Sequence, residues 1–136
     1  MTHLDFVRRC IGPPAVTYSS KGRDWSSCDC WGLVRLYYAE VLGIKLPEYA
    51  VEYTDAEELD EVARLVVEGR ANWVRVSPPQ VGDVVLQRLL SQPVHVGIFN
   101  GDGRMLHVRR GTEACLERID GPVWGRRVEG FYRYVG

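Results

Sequence analysis

The chain has 136 residues, a formal net charge of −1, 46% hydrophobic residues and 26% charged residues. This composition predicts one soluble globular domain over residues 1–136 and gives no indication of a nucleic-acid surface. No apolar run approaches the roughly 20 residues needed to cross a bilayer, so no membrane insertion is expected. The first ten residues lack the apolar core of a signal peptide, and we therefore expect synthesis without one.

The central feature of the sequence is a helix predicted to begin at Cys30. From that cysteine the apolar residues follow the one-face spacing of an amphipathic helix: Cys30, Leu33, Val34, Tyr37 and Val41. Ser27 or Asp29 can cap its start, and Gly43 stands where it would end. Backbone N–H groups and the helix dipole favour a thiolate in the first turn, so Cys30 is a candidate nucleophile.

The rest of the chain divides into helices followed by strands. Two capping boxes predict further helices ending near glycines, Thr2 with Asp5 before Gly12 and Thr54 with Glu57 before Gly69. Short apolar segments separated by turn residues predict six strands, at 73–76, 81–86, 94–99, 105–108, 115–119 and 131–135. This order predicts an α+β fold in which N-terminal helices pack on an antiparallel sheet.

The four cysteines suggest neither a disulfide framework nor a metal centre. Cys28 and Cys30 are too close in sequence to form a comfortable bridge. Cys-x-Cys with three scattered histidines does not match the paired ligand spacing of a structural zinc site. We therefore predict no metal and no cofactor.

Two of the three histidines, His95 and His107, fall in adjacent strands of one predicted hairpin, whereas His3 is expected at the surface. A three-residue loop centred on Gly101 would pair residue numbers that sum to 202 and place His95 opposite His107. A two-residue turn would make that sum 203 and put the rings on opposite faces. The sequence permits both registers.

In the first register His95 would act as general base for Cys30, and His107 would orient it. Gly97, on the same face as His95, would leave space for substrate. The alternative is purely structural, because most helical cysteines are small buried hydrophobes and most strand histidines are structural.

Several motifs together resemble the NlpC family of papain-like cell-wall cysteine peptidases. They are Asp29-Cys30-Trp31-Gly32-Leu33-Val34, Gly82-Asp83-Val84-Val85, His95-Val96-Gly97-Ile98 and Gly103-Arg104-Met105-Leu106-His107. The resemblance implies a papain-like core with Cys30 as nucleophile, His95 as base and His107 as third catalytic residue. It also implies that Tyr18, twelve positions before the cysteine, lines the site, where the alternative is a packed loop tyrosine. Asp29, Trp31 and Gly97 are assigned to substrate binding.

The resemblance further implies a substrate and a setting. Family members typically cleave peptidoglycan stem peptides, commonly between D-glutamate and diaminopimelate. The motif around Cys30 and the following Leu42-Gly43-Ile44-Lys45-Leu46-Pro47 look most like a phage-tail branch, with tail-tip proteins as partners. We would then expect synthesis in the bacterial cytoplasm and action on the wall as part of a virion or phage-like tail. The alternatives are a non-catalytic tail-assembly module and a thiol amidase or acyltransferase with another substrate.

Overall fold

The structure, a computed structural model, describes residues 1–46, 72–89 and 92–136, with the side chains of 89 and 92–94 excepted. The helix predicted between Thr54 and Gly69 lies outside the described residues. Two α-helices come first, α1 at His3–Ile11 and α2 at Cys30–Tyr37, and α2 continues as a π-helical turn over Tyr38–Leu42. None of the described helices has the length and apolar character to cross a membrane.

Both helices begin and end where their local sequence predicts. Thr2 and Asp5 form the predicted capping box of α1, and the Asp5 backbone N–H donates to Oγ1 of Thr2 at 3.0 Å. Asp29, rather than Ser27, caps α2. Gly43 ends the π-helical turn in the left-handed conformation, at φ 69°, which glycine adopts without a side-chain clash.

Within the described residues, eight strands form two sheets. The segment between the helices contributes a short parallel pair, β1 at Thr17–Tyr18 and β2 at Ser27–Cys28. The main sheet is antiparallel throughout and has the order β3-β8-β4-β5-β6-β7. Its strands are β3 at Trp73–Val76, β4 at Val84–Leu89, β5 at Gln92–Phe99, β6 at Arg104–His107, β7 at Cys115–Arg118 and β8 at Val128–Tyr134. All six predicted strands of the sheet are present, and the α+β class is confirmed.

The main sheet buries side chains on both faces. Helix α2 packs against β5. One face therefore joins the helices in the larger core, which includes Leu33, Val34, Val96 and Ile98. The opposite face carries a smaller cluster of Val85, Met105 and Trp124, with Phe99, Ile119, Val128 and Phe131 packed against it. Strand alternation explains why neighbouring residues such as Val84 and Val85 belong to different clusters.

The register of the β5–β6 hairpin differs from both predicted registers. Ile98 pairs with Leu106 and Phe99 with Met105, so paired residue numbers sum to 204. The three-residue loop is centred on Asp102, because Gly101 and Gly103 both adopt positive φ, at 92° and 77°. Continuing this register places His107 across from Gly97 and two residues from the position opposite His95. The two histidines still share one face, because the shift is by an even number.

His3 is not the surface residue that the sequence predicts. Its ring is partly buried, with Nδ1 lying 2.9 Å from the Tyr37 hydroxyl and Nε2 lying 2.7 Å from Oδ1 of Asn100. This histidine therefore ties the start of α1 to the end of α2 and to the residue after β5, and it lies apart from the other two.

Candidate active site

Asp29 holds the start of α2 against the preceding loop. Its buried carboxylate accepts hydrogen bonds from the backbone N–H of Gly32 at 2.7 Å and of Lys21 at 2.9 Å. Nη1 of Arg23 donates to it at 2.7 Å. These contacts make Asp29 the residue that positions Cys30, the first residue of the helix. Its assignment to substrate binding stays a prediction.

Gly32 allows the loop to approach the helix closely. A Cβ atom at this position would lie 2.0 Å from the carbonyl oxygen of Gly22. Any side chain would thus push residues 22 and 23 away from the helix start. The glycine two residues after Cys30 in the sequence motif therefore has a direct steric reason.

The other residues predicted around the thiol lie close to it in the fold. Trp31 is fully buried and packs against Trp73, with ring centroids 6.3 Å apart. Its side chain therefore belongs to the core, and a role in substrate binding stays a prediction. Tyr18 is half-buried and pairs in β1 with Cys28 in β2, two residues before Cys30. This pairing places Tyr18 beside the segment that leads into α2 and Cys30.

The two strand histidines form a hydrogen-bonded chain that ends on a carboxylate. Nε2 of His95 lies 2.9 Å from Nδ1 of His107, and Nε2 of His107 lies 2.8 Å from Oε1 of Glu117. Both rings are buried, whereas the Glu117 side chain is 38% exposed. The structure thus brings His95 and His107 together and adds Glu117, which the sequence analysis does not predict.

The direction of this chain follows from the hydrogen-bonding capacity of its members. An ionised carboxylate only accepts, so Nε2 of His107 carries the proton that points to Glu117. In a neutral ring, Nδ1 of His107 then accepts from Nε2–H of His95. Nδ1 of His95 is left with its lone pair, as a general base requires.

The electrostatic environment keeps both rings neutral. Complete burial, followed by the neighbouring His107 and then Arg109, holds the pKa of His95 well below its usual value. Burial also lowers the pKa of His107, although Glu117 acts in the opposite direction. Neutral rings at neutral pH agree with the direction of the hydrogen-bonded chain.

Nδ1 of His95 has no hydrogen-bond partner in the part of the chain that the structure describes. The thiol of Cys30 is therefore not hydrogen-bonded to it in this structure. Cys30 is fully buried in the larger core cluster, which also contains Val96, whereas the neighbouring His95 stacks on Trp124 of the smaller cluster.

Trp124 covers the histidine pair. Its ring stacks on His95 with centroids 5.5 Å apart and planes 19° apart, and it meets His107 edge-on at 5.4 Å. Trp124 is fully buried, and it belongs to the segment between β7 and β8. The indole therefore keeps water away from the imidazoles and contributes to the burial that lowers their pKa values.

Gly97 makes room for a neighbouring strand. A Cβ atom there would lie 3.1 Å from the carbonyl oxygen of Leu106, 3.2 Å from Cβ of His107 and 3.3 Å from Sδ of Met105. The missing side chain thus lets β6 bring His107 up to His95. Its predicted contribution to substrate binding is not tested by these contacts.

None of the four cysteines, all of which are described, forms a disulfide bond. Burial raises the pKa of both Cys10 and Cys28 to about 12, so neither is a reactive thiol at neutral pH. One group among the described residues could hold a metal ion, namely His107, Cys115 and Glu117. Its ligands come from different strands, which explains why a spacing rule along the sequence did not find it.

Comparison with known proteins assigns the family. The model of the NlpC/P60 family matches residues 15–133. The chain belongs to the NlpC/P60 family. Its NlpC/P60 domain is 28% identical over 112 residues to a murein DD-endopeptidase/murein LD-carboxypeptidase, MepS, of Escherichia coli strain K12. That alignment covers 82% of this chain and 52% of MepS, so the chain spans about half the length of that curated relative.

Solved NlpC/P60 structures share the fold at low sequence identity. The NlpC/p60 domain of the peptidoglycan hydrolase SagA superposes with a TM-score of 0.62 at 21% identity, covering 97% of each chain. The peptidoglycan hydrolase RipB of Mycobacterium tuberculosis gives a TM-score of 0.56 at 20% identity, covering 98% of this chain and 64% of RipB. The predicted papain-like α+β fold of the NlpC/P60 family is confirmed.

Proposed function

We propose that this NlpC/P60 chain is a cysteine peptidase that hydrolyses peptidoglycan stem peptides, with Cys30 as nucleophile. The observation that carries the proposal is the buried chain from Glu117 through His107 to His95, which leaves Nδ1 of His95 unprotonated and without a hydrogen-bond partner among the described residues. The names of MepS, SagA and RipB, all hydrolases of this wall polymer or peptidases acting on it, support the substrate class.

The proposed reaction uses the histidine chain twice. Nδ1 of His95 takes the proton of the Cys30 thiol, and the thiolate attacks the peptide carbonyl to give an acyl-enzyme. The resulting imidazolium protonates the leaving amine, and water then hydrolyses the thioester with His95 again as base. His107 and Glu117 hold the ring and stabilise its positive charge. The Cys30 backbone N–H, at a helix start, and the Tyr18 hydroxyl are suited to stabilise the oxyanion.

The decisive experiment digests purified peptidoglycan with the wild-type chain and with Cys30→Ser. We expect release of soluble fragments by the wild type and a loss of at least about 1000-fold in the variant, because a serine hydroxyl is a much weaker nucleophile beside a neutral imidazole. Cys115→Ser, which changes an exposed thiol, is the matched control. Circular dichroism should show that both variants fold. Undiminished activity of a folded Cys30→Ser variant would refute the mechanism.

The scissile bond is a finer part of the proposal. We place it between the γ-carboxyl of D-glutamate and diaminopimelate, as the sequence motifs imply. The name of MepS couples an endopeptidase that cleaves DD bonds with a carboxypeptidase that cleaves LD bonds, and these are different positions in the stem. Mass spectrometry of products from defined muropeptides distinguishes cleavage at these three bonds, because each cleavage releases a fragment of different mass.

The second candidate is a binding module that retains the scaffold without cleaving. Complete burial of Cys30 and His95 favours it, because a peptide cannot reach the thiol unless covering side chains move. Alkylation at neutral pH discriminates: an accessible thiolate at Cys30 should react faster than Cys10 and Cys28, whose thiols burial keeps protonated. Equally slow labelling of all three, together with cosedimentation with cell walls and no product, would favour the binding module.

We propose, finally, that the chain acts on the cell wall as part of a phage or phage-like tail. The support is the sequence around Cys30 and the segment from Leu42 to Pro47 that follows the nucleophile helix. Mass spectrometry of purified particles from a producing strain should detect the chain in an amount that stays constant relative to tail-tip proteins. Its absence from purified particles, with activity in the cell fraction, would remove the tail assignment and leave the peptidase proposal intact.

A further inference from the structure

Three side chains with different ligand atoms meet at the solvent side of the histidine pair. Cys115 in β7 lies directly opposite His107 in β6, and Glu117 lies two residues further along the same face. A ring nitrogen of His107, Sγ of Cys115 and a carboxylate oxygen of Glu117 all lie within 4.8 Å of one another, and Nε2 is the nitrogen of His107 that faces Glu117, at 2.8 Å. Neighbouring strands thus bring together an imidazole, a thiol and a carboxylate.

We propose that His107, Cys115 and Glu117 form an inhibitory binding site for a divalent ion of the zinc class. The inhibitory part rests on the proposed peptidase function, whereas the binding part does not. The site shares the ring of His107 with the catalytic chain. Binding of an ion at this site therefore excludes the hydrogen-bonded arrangement that leaves Nδ1 of His95 unprotonated.

The donor set suits Zn²⁺ in both number and kind. Zinc is bound by thiolate at about 2.3 Å and by imidazole nitrogen or carboxylate oxygen at about 2.0 Å, and three protein ligands leave a fourth tetrahedral position to water. These bond lengths place ligand atoms about 3.3–3.8 Å apart. A pair of ligand atoms at the 4.8 Å limit would close by about 1–1.5 Å to reach that spacing, and the His107–Glu117 pair, now 2.8 Å apart, would open by about 0.5 Å, which side-chain rotations can provide.

The ion has a route from solvent, since Cys115 is exposed and Glu117 is partly exposed. Charge balance also favours binding, because a thiolate and a carboxylate together neutralise a divalent ion. Arg109 lies near enough to act on His107 and Cys115, and its positive charge opposes binding. The two anionic ligands are in direct contact with the ion and outweigh this more distant cation.

Binding would reverse the hydrogen-bonded chain. The ion takes the lone pair of Nε2 of His107, so the proton of that neutral ring moves to Nδ1 and donates to Nε2 of His95. Nε2 of His95 becomes an acceptor, and its ring proton moves to Nδ1. The thiol proton of Cys115 is released to solvent, and no other proton is gained or lost. With a proton on Nδ1, His95 cannot accept one from Cys30.

Co²⁺ titration of the untagged chain tests binding without reference to activity. Titration of Cys30→Ala, which lacks the catalytic thiol, should give one Co²⁺ per chain and the ultraviolet charge-transfer band of a cobalt–thiolate bond. The double variant Cys30→Ala/Cys115→Ser should lose that band and bind Co²⁺ at least about 10- to 100-fold more weakly. That is the loss of metal affinity that removal of a residue supporting a ligand already causes. Absence of the band in Cys30→Ala, or its survival in the double variant, would overturn the site.

Zinc inhibition of wall digestion then tests the coupling. We expect Zn²⁺ to inhibit the wild type. Inhibition of Cys115→Ser should need a Zn²⁺ concentration at least about 10-fold higher. The activity of each protein is compared with its own activity in chelator. Equal sensitivity of the two proteins would place the inhibitory ion elsewhere and overturn the coupling. If no digestion occurs at all, the peptidase proposal fails, while the cobalt titration still decides whether the metal site exists.

Discussion

Glu117 accepts a hydrogen bond from Nε2 of His107 at 2.8 Å, and this contact orients the whole histidine pair. Because the carboxylate only accepts, it fixes the proton of His107 on Nε2. Nδ1 of His107 is then left to accept a hydrogen bond from His95. Glu117 therefore acts on His95, the proposed base, through His107. It is a positioning residue of the proposed site, and a partly exposed one.

Replacing Glu117 should therefore change turnover more than substrate affinity. We expect Glu117→Ala to lower kcat about 10- to 100-fold with little change in KM, because both protonation directions of the histidine chain become accessible. Glu117→Gln keeps an oxygen acceptor and should lose less. Glu113→Gln, an exposed change nearby, is the control. A Glu117→Ala variant with normal kcat in chelator would show that the carboxylate does not set the protonation of the pair.

Trp124 should be important for stability as well as for the site. Trp124→Ala removes a fully buried indole that stacks on His95, and we expect a loss of about 3–5 kcal/mol in the free energy of unfolding. Trp124→Phe retains an aromatic face and should lose clearly less. Urea unfolding followed by circular dichroism measures both. Equal losses for the two variants would contradict this expectation and show that a phenyl ring cannot replace the indole at this position.

Local signals in the sequence were sufficient for much of this fold. The capping residues Thr2 and Asp29, the left-handed stop at Gly43 and the alternation within strands all act over a few residues, so they can be read without tertiary information. The shared face of His95 and His107 was one of two outcomes that the sequence permitted, because an even offset between adjacent strands puts both rings on one face and an odd offset separates them.

The features that the sequence did not reveal depend on long-range geometry. The β5–β6 register was missed because two glycines at positive φ, Gly101 and Gly103, shift the loop centre by one residue. Glu117 could be found only from the β6–β7 register. Trp124 could be found only from the way in which the segment after β7 packs back on the histidine pair. The one signal available for Glu117 was its alternation with Cys115 in the predicted strand 115–119, which puts both side chains on the same face.

Asp29 should be among the costliest positions to change. Asp29→Ala leaves Arg23 facing the empty position and frees the N–H groups at the loop and helix start, and we expect a loss of about 3–5 kcal/mol in unfolding free energy. Asp29→Asn keeps one acceptor and should lose less. Asp102→Asn breaks an exposed ion pair with Arg104 and should change stability by about 1 kcal/mol or less. Similar small effects at both aspartates would contradict the capping role.

Acid should destabilise the metal-free protein through the two buried rings. Burial lowers the pKa of both His95 and His107 in the folded chain, so the unfolded chain binds more protons once the pH falls below their ordinary value of about 6.5. The neutral rings therefore contribute their full stabilisation above that pH, and the contribution declines as the pH falls towards the folded pKa values. The decline is at most about 1.4 kcal/mol per pH unit for each ring. Urea unfolding in chelator between about pH 5 and pH 7 measures this slope, above the range in which most carboxylates titrate. His95→Gln removes one titrating ring from the buried pair and should flatten the slope, whereas a slope unchanged from the wild type would show that His95 does not cause the acid sensitivity.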